Sequence, residues 1–345
     1  MAKDEERIKC KNCGGELEFF PAHQNLICTK CESEFNIEKQ KFEKFKSLDL
    51  ENAQKLEEEF SKTANVFNCE NCGSKIVFSK LEYSAVCPYC GGVHIKKTRL
   101  NPGLMPDAVI PFQFNEKVAS EKFKEAMAKK KFAPNAFKKA PNADDIYGIY
   151  IPTMCFNATS QTSYTGTARE STTDSDGKTS YRYYPIKGQI SMKHENVLIE
   201  SSAHINQLNF ERLKPFKHNE LVCFNDDYIR GYSVEYHETP LKVCNENAEE
   251  KMKFQIRSAI QRRYLDEIVS LKTNTIYSNQ SFAYFLLPIY QVDYKFKNKK
   301  YKSLINGQTG KVVGKSPISK VKVWLLVLGI LFGVSALIAL FLLIN

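Results

Sequence analysis

Eight of the eleven cysteines stand in four C-x2-C pairs. Cys10, Cys13, Cys28 and Cys31 give C-x2-C-x14-C-x2-C, and Cys69, Cys72, Cys87 and Cys90 repeat that spacing 59 residues later. Two intervening residues let one tight turn aim a pair of thiolates at a single ion. A glycine after the second cysteine, as at Gly14 and Gly73, permits the positive φ of such a turn. The longer gap fits a β-hairpin that carries the second pair back to the first. Four thiolates close a tetrahedral shell at about 2.3 Å per Zn–S bond, which leaves no open position and makes the site structural. Two Zn2+ ions are therefore expected, with iron, as in a rubredoxin-like site, the alternative metal. In a module of about 30 residues the metal supplies the folding free energy.

Other chemistry is not written into the chain. HExxH and GxSxG are absent, and the six histidines (His23, His94, His194, His204, His218, His237) show no ligand or triad spacing. Gly310-Lys-Val-Val-Gly314-Lys315-Ser316 resembles a phosphate loop but has three residues between its glycines where that loop needs four, and Pro317 follows. Cys155, Cys223 and Cys244 are left as buried thiols by default. No catalytic residue is assigned, and the expectation is a protein that is not an enzyme.

The elements that must hold these cysteines read as an α+β chain. The expected order is a zinc ribbon at 1–37, a charged helical spacer at 38–65 and a second ribbon at 66–98. A mostly antiparallel α+β body at 99–314, a basic juxtamembrane linker at 315–322 and a transmembrane helix at 323–344 follow. In the body, Ala119, Phe123, Ala126 and Met127 put a helix over about 116–131. Its other face is basic and reads as solvated, or as resting on a membrane or an acidic partner. Residues 146–205 alternate as strands with a turn at Asp174-Ser175-Asp176-Gly177. A second helix is expected at about 247–270 on the stripe Met252, Ile256, Ile260, Tyr264, Ile268. Strands return at 273–279, 282–296 and 300–306.

Val323 to Ile344 is an uncharged apolar run of 22 residues, about 33 Å as a helix and long enough for a hydrocarbon core of roughly 30 Å. Its flank, Lys295 to Lys322, holds nine lysines and no acid. Positive flanks stay cytoplasmic, and the first ten residues have no apolar core of a signal peptide. The expectation is a tail-anchored protein of the cell membrane with its bulk in the cytoplasm. Lys311, Lys315, Lys320 and Lys322 form a basic flank facing anionic lipid head groups. Gly329 and Gly333 make a GxxxG that would let two helices pair in a homodimer. The net charge of +10 is not carried by the ribbons, since residues 1–100 balance 16 basic against 16 acidic side chains. Neutral ribbons favour protein contact over nucleic acid.

Several motifs carry a resemblance: Phe132-Ala133-Pro134-Asn135-Ala136-Phe137-Lys138, Gly148-Ile149-Tyr150-Ile151-Pro152, Leu213-Lys214-Pro215-Phe216, Leu286-Leu287-Pro288-Ile289-Tyr290 and Asn306-Gly307-Gln308-Thr309-Gly310-Lys311-Val312-Val313-Gly314. With the cysteine pairs, they resemble bacterial membrane-anchored proteins with TFIIB-type zinc ribbons, often labelled phage replication or primosomal-helicase-like proteins. The resemblance implies partnership with flotillin-like (SPFH) and phage-shock proteins of membrane-stress assemblies. The expected function is a non-enzymatic adaptor that recruits protein partners to the membrane. The alternative is a membrane-tethered nucleic-acid-binding protein associated with replication or transcription.

Overall fold

The computed structural model describes residues 9–48, 66–77, 87–92, 95–98, 104–139, 145–237 and 239–344. The chain is α+β, with mostly antiparallel pairing. Strands β1 (Leu17–Phe20), β2 (Asn25–Cys28) and β3 (Glu34–Phe35) form a small sheet of their own in the first cysteine module. β4 (Lys46–Ser47) adds to the body, and β5 (Val66–Cys69), β6 (Lys75–Val77) and β7 (Ile95–Thr98) belong to the second module. The body contributes β8 (Ala108–Val109), β9 (Asp145–Thr173), β10 (Thr179–Glu200), β11 (Val222–Cys223), β12 (Ser233–Glu235), β13 (Glu267–Phe296), β14 (Lys299–Asn306) and β15 (Val312–Gly314). The helices are α1 (Glu116–Ala128), α2 (Asn135–Lys139), α3 (Gln207–Leu213), α4 (Leu241–Gln261) and α5 (Lys320–Ile344).

The frame is the ladder β10–β9–β13. Its near half is buried on both faces, so Ile149 to Phe156 and Phe282 to Val292 read as almost continuous apolar or aromatic runs. Its far half alternates, with Thr162 and Tyr164 turned inward and Gln161 and Ser163 outward. The change of character falls where both outer strands bulge, between His194 and Val197 in β10 and between Ser278 and Ser281 in β13. Asn196 and Asn279 supply the positive φ there. Such bulges bend a ladder, and here they divide a packed body from a projecting arm. Ile256 and Ile260 of α4 cover the inner face of the arm against Tyr164 and Ile190.

The expected turn at 174–177 is present, with Gly177 N–H donating to Asp174 O at 3.1 Å. The helix expected at 116–131 is α1, capped by Asn115 Oδ1 accepting from Val118 N, and it buries Ala119, Phe123 and Met127. Three expectations change. The helix expected at 247–270 starts at Leu241 and stops at Gln261, because Leu241, Cys244 and Ala248 extend the buried stripe upstream. Tyr264 and Ile268 still pack on Ile256 and Ile260, but from the turn after α4 and from the start of β13 respectively. The strands expected at 273–279 and 282–296 are one strand, the polar Ser278–Gln280 being a bulge and not a turn.

Residues 38–48 of the spacer are extended and not helical: Lys41 bridges Val222 and β4 pairs β13. Phe42 and Phe45, three residues apart like neighbours on a helix, instead set their rings on Phe285 at 5.4 and 6.0 Å. Residues 49–65 of that expected helix lie outside the described residues.

Candidate metal centres

Each C-x2-C is built as the same knuckle. Cys10 O accepts from Gly14 N at 2.7 Å while Cys10 N donates to Gly15 O at 2.7 Å. Cys69 repeats this with Gly73 and Ser74, and Cys87 with Gly91 and Gly92. Gly14, Gly73 and Gly91 have φ of +70°, +75° and +70°. The fourth knuckle closes the same way, with Glu32 N on Cys28 O and Cys28 N on Ser33 O, but there Glu32 itself takes φ +56°.

The knuckles bring Cys10, Cys13, Cys28 and Cys31 together, and likewise Cys69, Cys72, Cys87 and Cys90, with all Sγ atoms of each set within 4.8 Å of one another. The shortest separations are 3.5 Å in the first set (Cys10–Cys31, Cys13–Cys28) and 3.6 Å in the second (Cys69–Cys90, Cys72–Cys87). A tetrahedron with bonds of about 2.3 Å has edges of about 3.8 Å, so the thiols already stand near the positions of a four-coordinate shell. Each set is compatible with one metal ion.

Neighbouring polar groups fit thiolates. Ser33 Oγ lies 3.2 Å from Cys31 Sγ, Ser74 Oγ bridges Cys72 (3.2 Å) and Cys87 (3.1 Å), and Asn71 Nδ2 donates to Cys90 Sγ at 3.4 Å. The Ser33 hydroxyl and backbone bring Cys31 down to about 6. Against the effect of burial, the Asn71 amide and Gly92 N–H bring Cys90 down to about 7. Burial pushes Cys87 up to about 12. Cys13, against the pull of the Gly15 backbone, is pushed up to about 12 by the Cys31 and Cys28 thiols. Thiols this close cannot all ionise unaided, and a divalent cation removes the conflict.

The two modules meet the body differently. The first packs through Phe19, whose ring lies 5.5 Å from that of Tyr228, and through Gln24 Nε2 donating to Phe112 O at 2.7 Å. The second is continuous with the body sheet: β12 pairs in parallel with β9 and antiparallel with β6. Its knuckle residue Tyr89 is buried in the body. Tyr89 O accepts from Gln291 Nε2 and Lys302 Nζ, its hydroxyl donates to Glu235 Oε2, and its ring stacks on His204 at 4.0 Å. Glu235, 2% exposed, also accepts from Ser202 Oγ and Ala203 N, both at 2.7 Å. Burial raises its carboxyl above the usual range while these donors pull it down. Nothing in the local sequence around Glu235 marks it as the socket of a metal knuckle.

The remaining expected sites are scattered. Lys311 Nζ donates to Lys214 O, and Lys322 Nζ donates to Ala133 O and Asn135 Oδ1, so two of the four flank lysines bind protein carbonyls. Lys315 and Lys320 are exposed. Gly329 and Gly333 lie four residues apart on α5 with open space where a Cβ would be. Among the described residues α5 is the helix long and apolar enough to cross a membrane. The glycine-rich Gly310–Gly314 stretch runs into β15, paired with β14, and makes no phosphate cradle. Cys155 and Cys244 are buried, as expected, whereas Cys223 is partly exposed. His94 lies outside the described residues.

His194 does what its sequence position did not suggest. Its Nε2 meets Ser160 Oγ at 2.8 Å and its Nδ1 meets Gln255 Oε1 at 2.7 Å. Ser160 is fully buried and His194 is 2% exposed, and the chain of contacts ties β9, β10 and α4 together. A cleft of about 680 Å3 lies over the near end of β10 between α3 and α4. Lys251 and Lys214 both pair with Glu211 there, and no serine, cysteine or histidine lines it.

The sequence is 28% identical over 321 residues to the uncharacterized protein YdjG of Bacillus subtilis, covering 91% of each chain. No protein-family model matches the sequence. No solved structure matches it.

Proposed function

We propose that this protein is a non-enzymatic, membrane-tethered adaptor. Two structural zinc ions hold its N-terminal modules, and α5 fixes it to the cell membrane with the body on the cytoplasmic side. The observation that carries the reading is the closed geometry of both centres. All four positions of each shell are protein thiols, so an ion held there has no site for substrate or water. Zinc is favoured over iron because two fully thiolate C-x2-C shells are the donor sets of structural zinc modules. The nine-lysine flank supports the cytoplasmic side. The resemblance to membrane-anchored zinc-ribbon proteins suggests flotillin-like or phage-shock proteins as the partners recruited.

The test compares the full-length chain with a copy lacking 323–345, each tagged, cross-linked in cells, treated with nuclease and purified from solubilised membranes. Membrane-stress proteins recovered with the anchored form alone support the adaptor. Replication or transcription proteins that vanish with nuclease overturn it in favour of nucleic-acid binding. Metal analysis of the same material should return two zinc ions per chain.

A further inference from the structure

The first turn of α5 is clamped to one corner of the body. Lys322 Nζ donates to Ala133 O at 2.8 Å and to Asn135 Oδ1 at 2.7 Å, and Ser319 N–H donates to Phe132 O at 2.8 Å. The apolar run begins at the next residue, Val323. A helix rises about 1.5 Å per residue, so the link between α1 and α2 stands within about one turn of the point where α5 becomes wholly apolar. If α5 crosses a bilayer, that link lies at the level of the lipid head groups.

The surface at this height has the matching chemistry. Phe132 is 42% exposed, Ile318 69% and Val321 68%. Lys129 and Lys131 are exposed and Lys130 half-exposed. No Asp or Glu occurs between Ala126 and Lys139, and no ion pair engages Lys129, Lys130 or Lys131 among the described residues. Exposed apolar side chains beside unneutralised lysines are what an anionic head-group layer accommodates: the rings and branches enter the interface and the ammonium groups stay at the phosphates.

We propose that the corner Lys129-Lys130-Lys131-Phe132, with Ile318 and Val321, is a second membrane contact that seats on the anionic lipids of the leaflet α5 enters. The inference rests on α5 being a span. Its consequence is orientation. The body does not swing on a tether but is held on the bilayer at two points, so the metal modules and the arm keep one presentation to partners. Lys322, counted as a lipid ligand from sequence, serves as the clamp, and Lys129 to Lys131 take the lipid role.

Trp324 is the chain's only tryptophan, which permits a test on the full-length protein in vesicles. The native chain and the double variant F132W/W324F are each reconstituted into phosphatidylglycerol-containing vesicles with or without brominated acyl chains. Each protein then carries a single indole. Quenching in the native chain reports insertion of α5, and quenching in the double variant reports the corner. Both proteins should lose emission in brominated vesicles, and the double variant should regain it when Lys129, Lys130 and Lys131 are also changed to serine. A quenched native chain with an unquenched double variant overturns the second contact and leaves the anchor standing. An unquenched native chain overturns the anchor, and the contact with it. On the unaltered chain, acylation of Lys129 to Lys131 followed by mass spectrometry should fall on transfer from detergent to vesicles. Equal labelling in both overturns the proposal without any variant.

Discussion

Tyr89→Phe should weaken the body although the change lies inside a metal knuckle. The substitution removes one oxygen. The ring stays on His204, and Tyr89 O still receives Gln291 and Lys302, so the knuckle keeps its place. Glu235, 2% exposed, loses one of two hydroxyl donors on Oε2 and retains Ser202 and the Ala203 N–H. A hydrogen bond to a charged group contributes about 1.5–3 kcal/mol, which puts the cost near 2 kcal/mol and the fall in melting temperature near 4 °C. The loss should depend on pH. Burial raises the Glu235 carboxyl, so the native state keeps a proton that the unfolded chain releases near pH 4.3. The unfolded state then binds fewer protons, and stability falls as pH rises through that range until Glu235 has ionised. Tyr89 favours the ionised form, so its hydroxyl matters more as pH rises through the ionisation of Glu235. The assay is thermal unfolding of the purified full-length chain over a pH series, with metal release to a chromogenic chelator followed in parallel. One of two metal equivalents should leave faster in the variant, because only the second module is socketed on Glu235. A change below about 0.5 kcal/mol at the alkaline end of the series, an effect that shrinks as pH rises, or unaltered release of both equivalents would refute the coupling of knuckle to body.

Cys13→Ser and Cys72→Ser should each lower bound metal from two ions to one by elemental analysis. Only Cys72→Ser should lower the melting temperature of the body markedly, since the second module's β6 is paired to β12. Glu32→Gly should tighten the first centre, because Glu32 holds φ +56° where three sister knuckles have glycine. Relieving that left-handed residue should gain about 0.5–1 kcal/mol, read as slower metal loss to a competing chelator. Gly148→Ala should cost about 1–3 kcal/mol of stability, because its new Cβ would sit 2.4 Å from the Tyr232 ring and 3.3 Å from Tyr290. Denaturant unfolding would show this as a lower midpoint at unchanged slope.

What could be read from the sequence depended on the range of the physics involved. The cysteine spacing was legible because a knuckle is closed by its own backbone within a few residues. α5 was legible because a helix long and apolar enough to cross a membrane shows in length and composition alone, and α1 because its buried stripe repeats at helical period. The second module's merger with the body was not, because its partner β12 is three residues long and lies far downstream, too short to carry a period. The start of the spacer was not legible either: Phe42 and Phe45 have a three-residue spacing that suits a helix, and only the far-off Phe285 shows that they pack from an extended segment. Glu235 looked like any surface glutamate until Tyr89, Ser202 and Ala203 converged on it. The motifs behind the family resemblance turn out to be structural in a specific sense. Asn306 is fully buried: its Nδ2 donates to Leu213 O and Pro215 O, while its Oδ1 accepts from Gln308 and Thr309 N–H. Gln308 then joins Lys217 and Glu220, and Gly307 lies where a Cβ would strike Phe112. These residues are occupied in holding the loop after α3 against β14. The side chains left free of the core are those of the lysine-rich corner beside α5, which no period announces, and of the outer face of the arm, where Gln161 and Ser163 alternate with the buried Thr162 and Tyr164.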